Sequence, residues 1–96
     1  MLESDMSNNT NKNEEEYCVY IMECSDGSLY TGITNDIKKR LAVHNSGKGA
    51  KYTRGRLPVK VVYEESIVGK GAALSRERAI KKLNRNEKLE LLKSGY

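Results

Sequence analysis

The sequence predicts an α/β (α+β) fold in which helices flank a three-stranded antiparallel sheet. Two short apolar segments flank the turn sequence SDGS, and the Asp26-Gly27 pair within it is the strongest short-range signal for a β-hairpin. A third apolar segment follows Pro58 and predicts another strand. Stretches with apolar residues at helical spacing precede and follow that strand, which indicates helices packed on a sheet.

The length and composition predict one small domain with a tail. A chain of 96 residues with 38% apolar content holds one core. Residues 1–16 contain five acids, one lysine and almost no apolar pattern, so they cannot bury enough surface to offset the entropy of ordering. We expect a disordered acidic tail over 1–16 and a folded domain over 17–96. No segment reads as a signal peptide or membrane span, so we expect a cytoplasmic protein without membrane contact.

The folded domain is basic. Residues 17–96 carry sixteen basic and eight acidic side chains, and the segment from Ile37 to Tyr63 has eight Lys or Arg residues and no acid. A run of one sign, interleaved with tyrosine and glycine, is typical of a surface that binds nucleic acid, although it is also compatible with a solvated lysine-rich face. The candidate contact residues are Lys48, Lys51, Tyr52, Arg54 and Arg56.

The pattern assigns each segment of the domain to an element. Strands are predicted at 17–23, 29–34 and 59–63, and helices at 37–44, at 72–83 and from Asn86 to Leu92. Residues 45–57 are predicted as a glycine-punctuated basic loop.

The geometry of the hairpin turn decides whether its two tyrosines share a face of the sheet. A two-residue loop at Asp26-Gly27 would send Tyr20 and Tyr30 to opposite faces. A three-residue loop with Gly27 in the left-handed conformation changes the parity and brings them together. If both tyrosines serve one site, the loop must have an odd number of residues or the strand pairing must contain a β-bulge.

Each predicted long helix carries charge on its inner face. Arg40 and His44 lie beside the apolar stripe of the first helix, and Glu77 lies between Ala73 and Ile80 on the second. A buried carboxylate requires a cation, either an arginine or a metal. A guanidinium on an inner face likewise requires a partner.

These residues resemble the GIY-YIG nuclease superfamily, whose name spells two tripeptides on adjacent strands. Here the tripeptides read CVY at 18–20 and YTG at 30–32, and the resemblance extends from Tyr17 to about Leu92. The run GKGAKYTRGR at 47–56 resembles the small stand-alone branch. The residues in the order of the superfamily's active site are Tyr20, Tyr30, Arg40, His44 and Glu77.

The resemblance implies an endonuclease that hydrolyses phosphodiester bonds with Mg²⁺ or another divalent cation such as Mn²⁺. Glu77 would bind the metal, Arg40 would hold the scissile phosphate, and one tyrosine would position or deprotonate the attacking water. The superfamily uses His or Tyr at the place of His44. A metal and an arginine can neutralise charge that develops on phosphoryl oxygens, and Mg²⁺ needs few protein ligands because it keeps several waters.

Several alternatives stay open at the level of sequence. The main one is a nucleic-acid-binding protein that keeps the fold and does not cut; a partner-recruiting adaptor has less support. Glu77 and Arg40 could form a structural ion pair, and His44 could be a packing residue. Asn84 and Asn86 are both candidates for the asparagine that supports the site in larger members. We expect a monomer that acts on DNA rather than RNA, in repair or recombination, with a protein partner supplying specificity.

Overall fold

The computed structural model describes residues 15–95, which form one sheet with helices on both faces. The strands are β1 (Glu16–Glu23), β2 (Leu29–Thr34) and β3 (Lys60–Val68); the helices are α1 (Ile37–Asn45), α2 (Lys51–Arg54), α3 (Lys70–Lys81) and α4 (Arg85–Gly95). The sheet is antiparallel with the order β2-β1-β3, so β1 is hydrogen-bonded on both sides. The predicted fold class is confirmed. No helix within the described residues is long and apolar enough to span a bilayer.

The hairpin between β1 and β2 closes with three loop residues, 25–27. The backbone N–H of Cys24 donates to the carbonyl of Ser28 at 2.8 Å, and Gly27 has φ of 84°. This loop pairs Tyr20 with Gly32 and places Met22 opposite Tyr30. Side chains at even positions therefore share one face, and the prediction that Tyr20 and Tyr30 lie on the same side of the sheet is confirmed.

The alternation along β1 supplies two separate apolar clusters. One cluster consists of Val19, Ile21, Tyr63, Ala73 and Ile80, and the other of Tyr20, Met22, Cys24 and Val59. Helix α3 packs on the first face, whereas Ile37 and Leu41 of α1 pack on the second. The central strand β1 thus contributes side chains to two apolar layers, one on each face of the sheet, and no residue belongs to both.

Several element boundaries differ from the prediction. Strand β3 reaches Val68 because its backbone pairs with β1 as far as Glu16; the polar residues 64–66 interrupt the apolar run but not the ladder of backbone hydrogen bonds. Helix α3 begins at Lys70, directly after Gly69 with φ of 95°. The predicted loop 45–57 contains α2, a single turn too short to show helical periodicity in the sequence.

The start of α4 is a reciprocal cap at Asn84, so the prediction of a cap at Asn86 is wrong. The Asn84 side chain accepts from the Glu87 backbone N–H at 2.9 Å, and the Glu87 carboxylate accepts from the Asn84 N–H at 2.9 Å. Asn84 therefore has a structural role.

The predicted tail lies mostly outside the described residues, which begin at Glu15. The carbonyl of Glu15 accepts from the Gly69 N–H at 2.8 Å, and Glu16 opens β1. These two residues are part of the fold.

We expect Gly27→Ala to destabilise the domain by about 1–2 kcal/mol, because the left-handed conformation strains any residue with a Cβ. A Cβ at Gly27 would meet no atom within 4 Å, so the loss would come from the backbone alone. Gly71→Ala, in the first turn of α3 and equally open, is the matched control and should stabilise by roughly 0.5–1 kcal/mol. Urea unfolding measures both; equal effects of the two substitutions would contradict the role of Gly27.

Candidate active site

Tyr20 is buried in the sheet face beside the missing side chain of Gly32. The tyrosine is 1% exposed, and a Cβ built on Gly32 would lie 2.5 Å from its hydroxyl oxygen. That separation is far below van der Waals contact, so only glycine leaves room for this phenol. The space left by Gly32 is occupied by Tyr20, its partner on the neighbouring strand.

His44 lies next to this phenol and is fully buried. Its Nε2 atom is 3.4 Å from the Tyr20 hydroxyl, and its Nδ1 atom is 2.9 Å from the hydroxyl of Thr53. A Cβ at Gly49 would come within 2.6 Å of Nδ1, so this glycine also allows a close approach. Sequence reasoning did not identify Thr53 or Gly49, since their contact with His44 depends on how residues 45–57 fold back.

Tyr30 completes a group of three rings. Its ring centroid lies 6.4 Å from that of Tyr20 and 5.3 Å from that of His44. Tyr30 is half-buried, whereas the other two rings are enclosed. The structure therefore brings three of the five predicted catalytic residues into direct proximity, with Tyr30 nearest to solvent.

Arg40 and Glu77 act on this group through their charges. Burial raises the pKa of Tyr20, the hydrogen bonding and charge of Arg40 lower it, and the charge of Glu77 raises it further. Burial and then the Arg40 charge lower the pKa of His44. The phenol and the imidazole are thus both held in their neutral forms at neutral pH, with one cation and one anion in electrostatic reach of Tyr20.

Glu77 approaches from α3, whose buried residues belong to the other face of the sheet. Its side chain is 16% exposed and pairs with Lys81 Nζ at 3.3 Å, one turn along the helix. Within residues 15–95 no ion pair joins Glu77 to Arg40, so the proposed pairing of these two residues is not observed.

The donor set around Tyr20 suits a metal that takes few protein ligands. No three His, Cys, Asp or Glu side chains of the described chain cluster as a metal cage. Glu77 offers one partly buried carboxylate, which fits Mg²⁺ because that ion retains waters and takes further oxygens from substrate phosphates. Lys81 is the cation that a metal would have to displace from this carboxylate.

The predicted nucleic-acid-binding residues lie beside the three rings. Lys51, Tyr52 and Arg54 are the exposed residues of α2, and Lys48 precedes them. The Tyr52 ring stacks near Tyr30, with centroids 6.0 Å apart and planes inclined by 26°. The basic surface is therefore continuous with the site.

Arg56 differs from the other predicted contacts because its charge already has a partner. Its Nε atom lies 3.0 Å from the Asp26 carboxylate in the hairpin turn, and its guanidinium lies 4.2 Å from the centre of the Tyr52 ring. Arg56 links the turn to the aromatic group, so a phosphate would compete with Asp26 for it.

Comparison with known proteins finds a family model and close relatives for this chain. Residues 16–90 match the family model described as the GIY-YIG catalytic domain. A UPF0213 protein of Clostridium perfringens is 60% identical over 76 residues, which cover 79% of this chain and 82% of the relative. A UPF0213 protein of Bacillus cereus is 51% identical over 82 residues, 85% of each chain.

Two solved structures have the same fold. The solution NMR structure of a UPF0213 protein from Bacillus halodurans is 46% identical, with a TM-score of 0.55 over 83% of this chain and 86% of that one. The solution NMR structure of a protein from E. faecalis is 40% identical, with a TM-score of 0.59 over 88% of this chain and 90% of that one.

We expect folding stability to fall as the pH drops below the ordinary histidine value of 6.5, because the His44 pKa is lowered in the fold. The unfolded chain then binds a proton that the folded chain does not, which favours unfolding in this window. His44 is the one histidine of the chain, so its ring resonances give the folded pKa directly by NMR titration. Thermal melts between pH 7 and about 5.5 test the linkage; a folded pKa above 6.5 would contradict it.

Proposed function

Because the chain belongs to the GIY-YIG family of nuclease domains, we propose that it is a metal-dependent endonuclease that hydrolyses phosphodiester bonds of nucleic acid. The observation that carries this proposal is the meeting of Tyr20, Tyr30 and His44 beside an exposed basic helix. In this arrangement the half-exposed Tyr30 connects the basic surface to the buried pair of proton-transfer groups, Tyr20 and His44. Neither a packed core nor a lysine-rich surface requires that combination.

Tyr20 is the proposed general base because its own proton has an acceptor. As its hydroxyl oxygen takes a proton from the attacking water, its O–H proton can pass to Nε2 of His44, 3.4 Å away. This distance is long for an O–H donor, and catalytic hydrogen bonds often tighten only when substrate is bound. The Tyr30 hydroxyl has no hydrogen-bond partner within residues 15–95, and it orients the substrate from the half-exposed side.

Arg40 is the proposed phosphate ligand. It forms no ion pair with a carboxylate of the described residues, yet its charge is felt at both Tyr20 and His44. A guanidinium at this place can hold the nonbridging oxygens of the scissile phosphate by two hydrogen bonds. Its hydrogen bonding and positive charge also lower the pKa of Tyr20, which favours release of the phenolic proton to His44.

Glu77 would hold Mg²⁺ or Mn²⁺, which would neutralise the charge that develops on the phosphoryl and leaving oxygens. We propose DNA rather than RNA as the substrate and repair or recombination as the setting, in the cytoplasm. The protein would act as a monomer, with specificity supplied by a protein partner. The rival function is nucleic-acid binding without cleavage, and the observation that favours it is the Lys81 ion pair on the Glu77 carboxylate.

Glu77→Gln should abolish nicking while leaving the fold and metal-free binding intact. The amide keeps the size of the side chain and removes the charge that holds the metal, so we expect cleavage to fall about 100-fold or more. The ion pair with Lys81 is half-exposed, and its loss should change stability by less than about 1 kcal/mol. Nicking is measured with Mg²⁺ on DNA and on RNA substrates, and a thermal melt of each protein is recorded alongside.

The matched control is Glu90→Gln, which neutralises an exposed carboxylate paired with Lys93 on α4 and should leave cleavage unchanged. A wild-type protein that binds but never nicks would support the rival function. If Glu77→Gln melts far below the wild type, the carboxylate is a structural ion-pair partner; if it cuts normally, it is not the metal ligand.

The basic surface predicts a salt dependence of binding that can be assigned to single residues. Lys51→Ala should reduce the magnitude of the slope of log affinity against log salt by about 0.9, the value for one released counterion on B-DNA. Arg56→Ala should reduce it less, because Asp26 already compensates that charge. Lys93→Ala on α4 is the control and should leave the slope unchanged. Slopes indifferent to Lys51 would contradict a phosphate contact at α2.

A further inference from the structure

The hydroxyl of Thr53 stands between a backbone carbonyl and the His44 ring. Its Oγ1 atom lies 2.9 Å from the carbonyl oxygen of Ala50 and 2.9 Å from Nδ1 of His44. A carbonyl oxygen only accepts hydrogen bonds, so the single proton of the hydroxyl is directed at Ala50. The contact with His44 is then a hydrogen bond only if Nδ1 carries a proton and donates it to Oγ1.

This donor assignment fixes the other side of the ring. A neutral imidazole protonated at Nδ1 has a lone pair at Nε2, which faces the Tyr20 hydroxyl. The reverse tautomer would leave the oxygens of Thr53 and Ala50 facing each other at 2.9 Å without a shared proton. It would also direct an N–H at the Tyr20 oxygen and leave His44 unable to accept the Tyr20 proton.

We propose that Thr53 is a positioning residue that holds His44 in the Nδ1-protonated tautomer, so that Nε2 accepts the proton of Tyr20. The inference rests on the proposed function for its catalytic meaning, although the tautomer itself can be observed without catalysis. Thr53 acts through His44 and does not need to touch the substrate.

The surroundings of the ring are built to keep it in one orientation. His44 and Thr53 are both fully buried, and the Gly49 backbone lies against the Nδ1 edge. Within residues 15–95 the ring contacts two hydroxyls, that of Tyr20 at Nε2 and that of Thr53 at Nδ1. A flip of the ring would break the contact between Nδ1 and Thr53. Burial of an unpaired ring N–H is unfavourable, so the Thr53 contact and the enclosure act in the same direction.

Thr53 also belongs to the helix that presents the basic surface. It is the one buried residue of α2, whose other residues are exposed. The Thr53 backbone N–H also donates to Ala50, at 3.0 Å, so the hydroxyl is held by the turn itself. The support of His44 and the surface proposed to bind phosphate are therefore two sides of one helical turn.

The first test reads the tautomer directly by NMR. His44 is the one histidine in the chain, so the two ring nitrogen resonances of ¹⁵N-labelled protein at neutral pH belong to it without ambiguity. We expect Nδ1 to resonate as a protonated nitrogen and Nε2 as an unprotonated one. A protonated Nε2 in the wild-type protein overturns the proposal at once, whether or not any variant folds.

Substitutions then assign the effect to the Thr53 hydroxyl. Thr53→Val keeps the shape and removes the hydroxyl, so the two nitrogen shifts should move toward each other as the tautomers mix; Thr53→Ser should restore the wild-type pattern. The matched control is Thr31→Val, since Thr31 is also a buried threonine and its hydroxyl has no partner in the described residues. A folded Thr53→Val with an unchanged tautomer, or a Thr31→Val that shifts it, overturns the proposal.

The kinetic arm separates this proposal from the function on which it rests. Thr53→Val should lower kcat about 10–100-fold with little change in KM, as expected for an outer residue that orients a catalytic group, and Thr53→Ser should recover most of the loss. An Nδ1-protonated ring in a protein that never nicks would refute the proposed nuclease and leave the positioning role of Thr53 intact. Full activity in Thr53→Val despite a mixed tautomer would refute the catalytic meaning of the tautomer.

Discussion

The site depends on the pairing of Tyr20 with Gly32 across the hairpin. A phenol can lie flat against the neighbouring strand only where that strand has no side chain, and the three-residue turn puts the one glycine of β2 opposite Tyr20. The same register brings Tyr30 to the same face, two residues from Gly32. A slip by one residue would move every side chain of β2 to the other face and dissolve the group of rings.

The charged side chains near this pairing have opposing effects on the pKa values of Tyr20 and His44. Arg40 lowers the pKa of Tyr20 and so favours release of the phenolic proton, but it also lowers the pKa of His44, the acceptor in the proposed proton transfer. Glu77 opposes Arg40 at Tyr20. A substrate phosphate bound at Arg40 would offset that cation, and the imidazole would become a better acceptor at the moment when it is needed.

The sequence predicted the parts of this site that follow from local rules. The Asp26-Gly27 turn, the helical spacing of Arg40 and His44 and the inner position of Glu77 are short-range patterns, and the structure reproduces them. The turn residues alone allow a loop of two or of three residues, and only the three-residue loop places Tyr20 and Tyr30 on one face of the sheet. Gly27 permits that loop through its left-handed backbone conformation.

What the sequence did not predict arises from contacts between distant segments. The length of β3 is set by pairing with β1, not by its own polar residues 64–66. The cap at Asn84 is the exception, because it follows a local pattern: Glu87 lies three residues after Asn84, whereas Leu89 occupies that position after Asn86. The role of Thr53 could not be predicted, because no local pattern indicates that this turn folds back onto His44.

The single turn of α2 joins the surface proposed to bind nucleic acid to the residue that supports the His44 ring. Three of its four residues are exposed and the fourth, Thr53, is buried. No residue of the turn therefore separates the exposed surface from the contact with His44. Substitutions that change the charge of this surface to favour another nucleic acid would also disturb Thr53 and its contact with the buried His44 ring. Selection for tighter or looser binding at α2 is therefore limited by the buried His44 ring, and Gly49 cannot take up the change because a Cβ there would lie 2.6 Å from Nδ1.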